Sequence, residues 1–317
     1  MLDAEALLRG ARRPLVLGMG GGGDVVGALA TAEFSRLYDG ADPVVGGVTW
    51  ERRAIDPVPG PRRRDEIEGG EELAPGVLLA DAHTRVRGRD VVFAESRMAG
   101  FLDQGTVLVD VNPGPGEVAS SLERTVERLG CDLVVFMDVG GDVVAQGHEQ
   151  GLSSPLCDAV MLAAASKLGH AGHPVLAGIF GIGCDAELKP AEVLAQLARV
   201  AEADGFCGTR GLTAPVAERL EGAVEAVPTE ASAQAVRAFR GASGTATIRG
   251  GARSLELSSA AAVTFYLDVE VTMRSVGRLA QAVADTGDLQ EANRALNELG
   301  VRTELDGEVA WAAEQRP

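Results

Sequence analysis

Short apolar runs rich in β-branched residues alternate with amphipathic stretches along the first two-thirds of the chain. The runs PLVLG, DPVVGGV, TVLVDV, LVVFMDV and VLAGIF predict buried strands, because each is short and almost entirely apolar. Helical spacing of apolar residues predicts helices over residues 25–38, 116–129, 158–168 and 191–203. This alternation is typical of a mostly parallel sheet with helices on both faces, so we predict a Rossmann-like α/β fold.

The pattern changes in the last third, where strands and helices no longer alternate. GTATIRGGARSLELSS predicts a hairpin that turns at Gly250 and Gly251, and AVTFYLDVEVTM predicts a strand before two short helices. We therefore divide the chain into a Rossmann-like ligand-binding domain, residues 1–212, and a smaller C-terminal α+β segment, residues 213–317, packed on the sheet. The alternative of one single domain stays open. Within the first part, residues 76–96 predict two strands around a turn.

The chain carries a large excess of acidic residues. With 46 Asp and Glu against 29 Lys and Arg, its formal charge is −17. Such a surface repels nucleic-acid phosphates, so we expect no nucleic-acid partner. The sequence has no leader pattern, no run of about eighteen apolar residues and no Cys-x-x-Cys pair. We therefore expect a cytoplasmic protein without a membrane partner, and a homo-oligomer stays an open alternative.

Four predicted strands end in an acid beside glycine or asparagine. These positions are Asp24 after the first strand, Asp110 with Asn112 and Glu117, Asp138 with Asp142, and Asp185 with Glu187. The carboxyl ends of parallel strands share one edge of a sheet, where ligands bind. We therefore expect these acids to converge although they are far apart in sequence.

Converging carboxylates repel one another, so something must neutralise them. Magnesium-like cations take carboxylate oxygens as ligands, and we predict Mg²⁺ or Mn²⁺ at Asp138, Asp142 and Asp185. Arginines that could pair with the acids follow the second strand: Arg52, Arg53, Arg62, Arg63 and Arg64.

Four consecutive glycines, Gly20, Gly21, Gly22 and Gly23, stand between the first strand and its helix. Backbone amides at such a turn bind phosphate, and we expect these amides to be free for that purpose, with Asp24 capping the helix or facing a cation. An ordinary nicotinamide dinucleotide site is the alternative, and Glu51 would then bind the ribose, although it lies later than the usual spacing of about 20 residues.

Three side chains are candidates for proton transfer or nucleophilic attack. His148 and Glu149 lie between two glycines in the loop GHEQG, where a general acid or base would be accessible. Cys184 lies in a glycine loop ahead of a helix, which stabilises a thiolate, and is the alternative nucleophile.

Several segments resemble a family of archaeal and actinobacterial proteins, the domain of unknown function eleven-fifty-two (DUF1152). They are GMGGGGDVVGALATA, TWERRAIDPVPGPRRRDEIEG, DVGGDVVAQGHEQGLSSPLCDA, GIGCDAEL, TEAS and ELGVRTELDGEVA. The resemblance extends over nearly the whole chain and supplies no activity. It adds Glu51, Arg52, Asp56 and Glu230 as site candidates. In that family the third loop usually has glycine where this chain has Ala186.

These observations lead to one main functional hypothesis and two alternatives. We expect an enzyme that binds a small phosphorylated or nucleotide-like metabolite and catalyses metal-assisted hydrolysis or group transfer. The catalytic candidates are Asp142, His148, Glu149, Asp185 and Glu187. The ligand-binding candidates are Gly20, Gly21, Gly22, Gly23, Asp24, Glu51, Arg52, Asn112, Gly140, Gly141 and Glu230. The alternatives are a non-catalytic ligand sensor or scaffold, and a metal-free lyase or isomerase acting on a sugar or amino-acid derivative.

Overall fold

The computed structural model describes residues 2–315. Its strands are β1 (Pro14–Gly18), β2 (Val44–Val48), β3 (Ile67–Glu68), β4 (Glu71–Ala74), β5 (Val77–Ala80), β6 (Arg85–Val86), β7 (Thr106–Val109), β8 (Leu133–Val139), β9 (Val175–Phe180), β10 (Phe206–Gly211), β11 (Gly244–Ile248), β12 (Arg253–Leu257) and β13 (Val263–Leu267). Its α-helices are α1 (Ala4–Gly10), α2 (Asp24–Phe34), α3 (Ala94–Leu102), α4 (Gly114–Leu129), α5 (Pro155–His170), α6 (Pro190–Glu202), α7 (Ala214–Ala226), α8 (Ala231–Phe239), α9 (Val269–Ser275), α10 (Arg278–Val283), α11 (Leu289–Glu298) and α12 (Glu304–Glu314). Among these helices, none is long and apolar enough to cross a membrane.

Nine strands form one sheet in the order β10-β13-β9-β8-β1-β2-β7-β5-β4. The five central strands, from β9 to β7, pair in parallel, and the strands flanking them pair antiparallel. From β1 the chain first builds the sheet outward through β2 and β7, and then returns to add β8 and β9 on the other side. The predicted α/β fold is therefore confirmed, and its topological switch point lies between β1 and β8.

Side chains of the central strands alternate between two cores, one on each face of the sheet. In β1, Leu15 and Leu17 pack in one core and Val16 packs in the other, because successive side chains of a strand point to opposite faces. Helices α4, α5, α6 and α9 to α11 contribute to the first core, and α1, α2, α3, α7 and α8 contribute to the second. Burial of both faces explains why the parallel strands are continuous apolar runs.

The C-terminal segment contributes to the same sheet. Strand β13 pairs antiparallel with β9 on one side and β10 on the other. The predicted hairpin is confirmed as β11 and β12, which form a separate two-stranded sheet. Its turn contains Gly250 and Gly251, both in the left-handed region that glycine adopts easily. The division of the chain near residue 212 stays a prediction.

Helix α3 lies where the sequence pattern predicted part of two strands around a turn, and this prediction is wrong for residues 94–96. The apolar run DVVF does precede it, but the backbone amide of Ala94, at the first position of α3, donates a hydrogen bond to the carboxylate of Glu51. A residue 43 positions away therefore binds the first amide of this helix. No local sequence signal reports a contact of that kind.

Candidate functional site

Six buried carboxyl groups meet at the switch point of the sheet. They form two groups, and in each group carboxylate oxygens from the three residues lie within 4.8 Å of one another. The first group is Asp24, Asp138 and Asp158, and the second is Asp142, Asp185 and Glu187. None of the six residues is more than 7% exposed. The charges of Asp138 and Asp142 act on each other, so the two groups are neighbours.

The fold brings these acids together from the ends of three parallel strands. Asp24 begins α2 directly after β1 and its glycine loop, and Asp138 is the penultimate residue of β8. Asp142 follows β8 in a short 3-10 turn, and Asp185 lies in the loop after β9. The predicted convergence of these four aspartates is therefore found. Asp158, in the first turn of α5, completes the first group, and its place at the start of a predicted helix gives no sign of that role.

Glycines line the cluster because carboxylates occupy the space where side chains would otherwise stand. A Cβ atom on Gly20 would lie 2.8 Å from Asp24 Oδ2, and one on Gly140 would collide with the Asp185 carboxyl group. A Cβ atom on Gly141 would meet Val193 instead. Gly20 and Gly140 thus make room for the acids of the protein itself.

The glycine loop after β1 does not present four free amides. The amide of Gly20 donates to Asp24 Oδ2 at 2.9 Å, and the amide of Gly22 donates to the Trp50 carbonyl at 2.9 Å. The prediction of a phosphate cradle formed by all four amides is therefore wrong. The cap prediction for Asp24 is wrong too, because Gly23 is the N-cap and the Asp24 carboxylate turns back to Gly20.

Burial and mutual repulsion disfavour the charged form of these acids. Burial raises the pKa of Asp24 to about 7 and the pKa of Asp185 to about 8, although the nearby Arg52 charge opposes both shifts. Burial and neighbouring carboxylates raise the pKa values of Asp138, Asp142 and Asp158 well above the usual range.

Two oxygens of the first group have no hydrogen-bond partner among residues 2–315. They are Asp138 Oδ2 and Asp158 Oδ1, and each belongs to a residue that is 1% exposed. Buried polar atoms are normally bonded, so such orphans call for an explanation. A proton shared between the acids or a bound cation would supply it.

Glu187 differs from Asp138 and Asp158 because both of its oxygens accept hydrogen bonds. It accepts from the backbone amides of Ser153 and Ser154, at 2.7 and 2.8 Å, and from both hydroxyl groups. The carboxylate therefore fixes the loop that leads into α5. This contact places the first turn of α5, and with it Asp158, beside the strand ends.

Three arginines approach the cluster. Arg52 follows β2, lies over Gly22 and donates through Nε to the Gly22 carbonyl at 3.2 Å. Arg253 Nη1 lies 3.4 Å from Glu187 Oε1, and Arg249 Nη2 lies 3.6 Å from the same oxygen. Both of these belong to the β11–β12 hairpin, and no sequence pattern marks either one as a site residue.

Most of the other arginines after β2 bind elsewhere. Arg62 is buried and pairs with Asp56 at 3.1 Å, and it also donates to backbone carbonyls of its own loop. Arg64 pairs with Glu72 at 3.2 Å. Asp56 therefore has a local structural partner, and of the predicted group Arg52 is the one whose charge acts on the aspartates.

A second pair of buried acids, Glu51 and Glu95, lies beside the main cluster. Each has one oxygen without a partner among the described residues, and Glu95 is 1% exposed. Burial raises the pKa of Glu51 to about 7, and burial followed by the charges of Glu51 and Asp24 raises the pKa of Glu95 well above its usual range. Glu51 faces an acid and a helix terminus, which does not support its predicted ribose-binding role.

His148 and Glu149 do not join either carboxylate group. His148 is exposed, and the Glu149 carboxylate accepts from the amides of residues 146, 147 and 148 at 2.8 to 3.0 Å. Glu149 therefore closes its own loop. The structure lends no support to the prediction that these two residues transfer protons at the site.

Asn112 and Glu230 also lie apart from the carboxylates. Asn112 bonds to Asp110 and to the Pro61 carbonyl, beside a separate cavity of about 610 Å³. Glu230 accepts from the Arg249 amide at 2.7 Å and so contacts the tip of the β11–β12 hairpin. Glu230 reaches the site only through this arginine.

Cys184 is fully buried, and burial raises the pKa of its thiol above the usual range. The nearby charge of Asp185 acts in the same direction. A buried thiol with a raised pKa is a poor nucleophile, so the alternative of a nucleophilic cysteine is not supported.

Comparison with known proteins identifies a family match. The family described as protein of unknown function (DUF1152) matches residues 15–312, which include every side chain of the site. No curated protein and no solved structure matches the chain.

Proposed function

We propose an activity from the residues of this chain itself, because the chain belongs to the DUF1152 family of proteins of unknown function. The protein is an enzyme that acts on a small phosphorylated or nucleotide-like metabolite by metal-assisted hydrolysis or group transfer. The cofactor is Mg²⁺ or Mn²⁺. The observation that carries this proposal is the pair of buried, unpartnered oxygens of Asp138 and Asp158 inside a cluster of six acids.

The composition of the cluster favours a hard divalent cation. All six side chains offer carboxylate oxygens, which Mg²⁺ and Mn²⁺ prefer over the nitrogen and sulfur ligands of softer metals. Asp24, Asp138 and Asp158 would hold one cation. Asp142 and Asp185 would hold a second, with Glu187 already committed to the loop before α5. Two adjacent cations are a known arrangement for displacement at phosphorus.

The position of the cluster favours a role in catalysis over a role in folding. In open α/β sheets, ligands bind at the carboxyl ends of the strands, beside the switch point, and the six acids occupy that location. A divalent cation at this place polarises a phosphoryl oxygen or lowers the pKa of a bound water.

The proposal is tested by binding and turnover measured on the same protein. We expect Mg²⁺ or Mn²⁺ to raise the melting temperature of the chelator-treated chain. We expect a panel of nucleotides and sugar phosphates to include at least one compound that is hydrolysed or transferred. Absence of any cation effect would reject the metal-assisted proposal.

The Asp142→Asn variant separates an enzyme from a ligand sensor. Asn keeps the shape of the side chain and removes its charge. Loss of turnover with ligand binding retained supports an enzyme. Ligand binding without turnover in the unmodified protein, across the whole panel, supports the sensor alternative. Turnover that persists in excess chelator favours the metal-free lyase or isomerase.

A further inference from the structure

The β11–β12 hairpin places two arginines beside the carboxylates, and we propose that they form the anion-binding half of the site. Arg249 and Arg253, together with Arg52, bind the phosphoryl group of the substrate. This inference rests on the proposed function, because the same substrate would contact the cations held by the aspartates. It replaces the glycine loop with the hairpin as the place where phosphate binds.

The hairpin reaches the site from a distant part of the chain. Its two strands pair only with each other among the described strands, and its exposed tip carries Arg249. The tip nevertheless lies against the second carboxylate group, where Arg249 and Arg253 are 3.6 and 3.4 Å from Glu187. Cationic side chains from the C-terminal segment thus meet acids from the parallel strands.

The guanidinium groups of the hairpin have donors to spare. Glu187 already accepts four hydrogen bonds from Ser153 and Ser154, and neither arginine is hydrogen-bonded to it. Arg253 donates through Nη2 to the Ser153 hydroxyl at 2.6 Å, while its buried Nη1 lies 3.4 Å from Glu187 Oε1 and has no hydrogen-bond partner among residues 2–315. Free guanidinium donors in a fork match the oxygens of a phosphoryl group.

Arg52, Arg249 and Arg253 also repel one another. Burial lowers the pKa of Arg249, and the charges of Arg52 and Arg253 lower it further. Glu187 and Asp185 offset this effect in part. An anion between the three guanidinium groups would remove the repulsion, and a phosphoryl group there would lie between the arginines and a cation at Asp142 and Asp185.

The backbone of the hairpin tip is held in a strained conformation. Arg249 has φ of 54°, a left-handed value that is unfavourable for a residue with a side chain. Its amide donates to Glu230 Oε2 at 2.7 Å. Thr229, the residue before Glu230, packs closely on Gly23. A Cβ atom on Gly23 would lie 2.7 Å from Thr229 Cβ. The TEAS segment therefore connects the hairpin tip to the glycine loop, and Glu230 positions Arg249.

The test measures binding of inorganic pyrophosphate and of Mn²⁺ separately, by calorimetry on the full chain. We expect the Arg249→Gln, Arg253→Gln double variant to bind pyrophosphate at least about tenfold more weakly, because two guanidinium groups that donate charged hydrogen bonds are lost. We expect Mn²⁺ binding to stay unchanged. Arg89→Gln, at an exposed arginine next to the short β3–β6 sheet, is the control. Unchanged pyrophosphate affinity in the double variant, or no pyrophosphate binding by the unmodified chain, would overturn the inference.

Two outcomes keep this inference distinct from the proposed function. Arginine-dependent pyrophosphate binding without any Mn²⁺ binding supports the anion site and rejects the metal-assisted activity. Mn²⁺ binding together with a pyrophosphate affinity that is the same in the arginine double variant rejects the anion site and supports the metal-assisted activity.

Two Glu230 variants test the positioning role. Glu230→Ala should weaken pyrophosphate binding, because the Arg249 amide loses its acceptor. Glu230→Gln should restore it, because its amide oxygen still accepts. Equal affinity in both Glu230 variants and in the unmodified chain would contradict that role.

Discussion

Asp110 and Asp138 are both buried aspartates at the carboxyl ends of parallel strands of the same sheet, β7 and β8, yet their surroundings differ. Asp110 follows β7, and its two oxygens accept from the Arg64 amide at 2.8 Å and from the Asn112 amide at 2.9 Å. Asp138 ends β8 with one oxygen unpartnered in the described structure and with other acids around it. The contrast teaches that position at a strand end does not define the site. Buried carboxylate oxygens without a hydrogen-bond partner define it.

The largest expected effect is on the melting temperature, and its sign differs between variants at Asp138 and a variant at Asp110. At about pH 8 without divalent cations, Asp138→Asn with Asp158→Asn should raise the melting temperature, because burial and neighbouring acids disfavour the charge of both side chains and Asn carries none. Asp110→Asn should lower it, because an acceptor for the Arg64 amide is lost. Thermal unfolding measures both.

The Asp138, Asp158 double variant and Asp110→Asn also test whether a cation binds at the first carboxylate group. Stabilisation by Mn²⁺ should disappear in the Asp138, Asp158 double variant and persist in Asp110→Asn. If the double variant is destabilised without metal, the cluster is a structural network with shared protons, and the comparison with Asp110 fails.

A second expectation concerns pH in the cation-free protein. Acids with raised pKa values bind their protons more tightly in the folded state, so their contribution to stability is complete at low pH. It is lost as pH rises through about 7 for Asp24 and about 8 for Asp185. We expect the melting temperature to fall by on the order of 10 °C between about pH 5 and about pH 8.

Cations should reverse this dependence, since they bind the deprotonated carboxylates. Mn²⁺ affinity should rise across the same interval, and saturating Mn²⁺ should flatten the fall in melting temperature. A melting temperature that stays level or rises from about pH 5 to about pH 8 without metal would show that the aspartates are ionised at little cost.

The sequence predicted the sheet and the strand-end acids of this site better than the other residues that contact them. Buried apolar runs and helical periods determine a parallel sheet, and a parallel sheet brings strand-end acids such as Asp24, Asp138 and Asp185 to one edge. Those inferences needed only local patterns and one topological rule. They held because each acid lies near the end of its strand or in the short loop that follows it.

The other site residues depend on tertiary contacts that no local sequence pattern predicts. Glu95 lies in a helix whose first amide is bound by Glu51, and Arg249 reaches the cluster because Glu230 holds a hairpin tip. The glycine loop was misinterpreted for another reason. Glycine leaves space equally for a phosphate and for a carboxylate of the protein, so Gly20 and Gly140 look the same in sequence under either use.

The Glu51–Glu95 pair provides a smaller test of where the cation site ends. Glu95→Gln should raise the melting temperature slightly at about pH 8, because burial and the charge of Glu51 disfavour the ionised form of Glu95 and Gln keeps its shape without a charge. Mn²⁺ affinity should not change. Glu298→Gln, at an exposed position in α11, is the control and should have little effect on either quantity. Loss of Mn²⁺ binding in Glu95→Gln would extend the site to this pair.

The smallest expected effect separates loop strain from site chemistry at Ala186, between Asp185 and Glu187. Ala186 has φ of 62°, where a methyl group is unfavourable and glycine is not. Ala186→Gly should therefore stabilise the chain by about 1 kcal/mol, or about 2 °C, without changing Mn²⁺ affinity. Asp204 has nearly the same φ, 63°, but Asp tolerates this conformation better, so Asp204→Gly should gain less. If Ala186→Gly destabilises the protein, contacts of the alanine side chain hold Glu187 in place, and the loop is not strained by its left-handed residue.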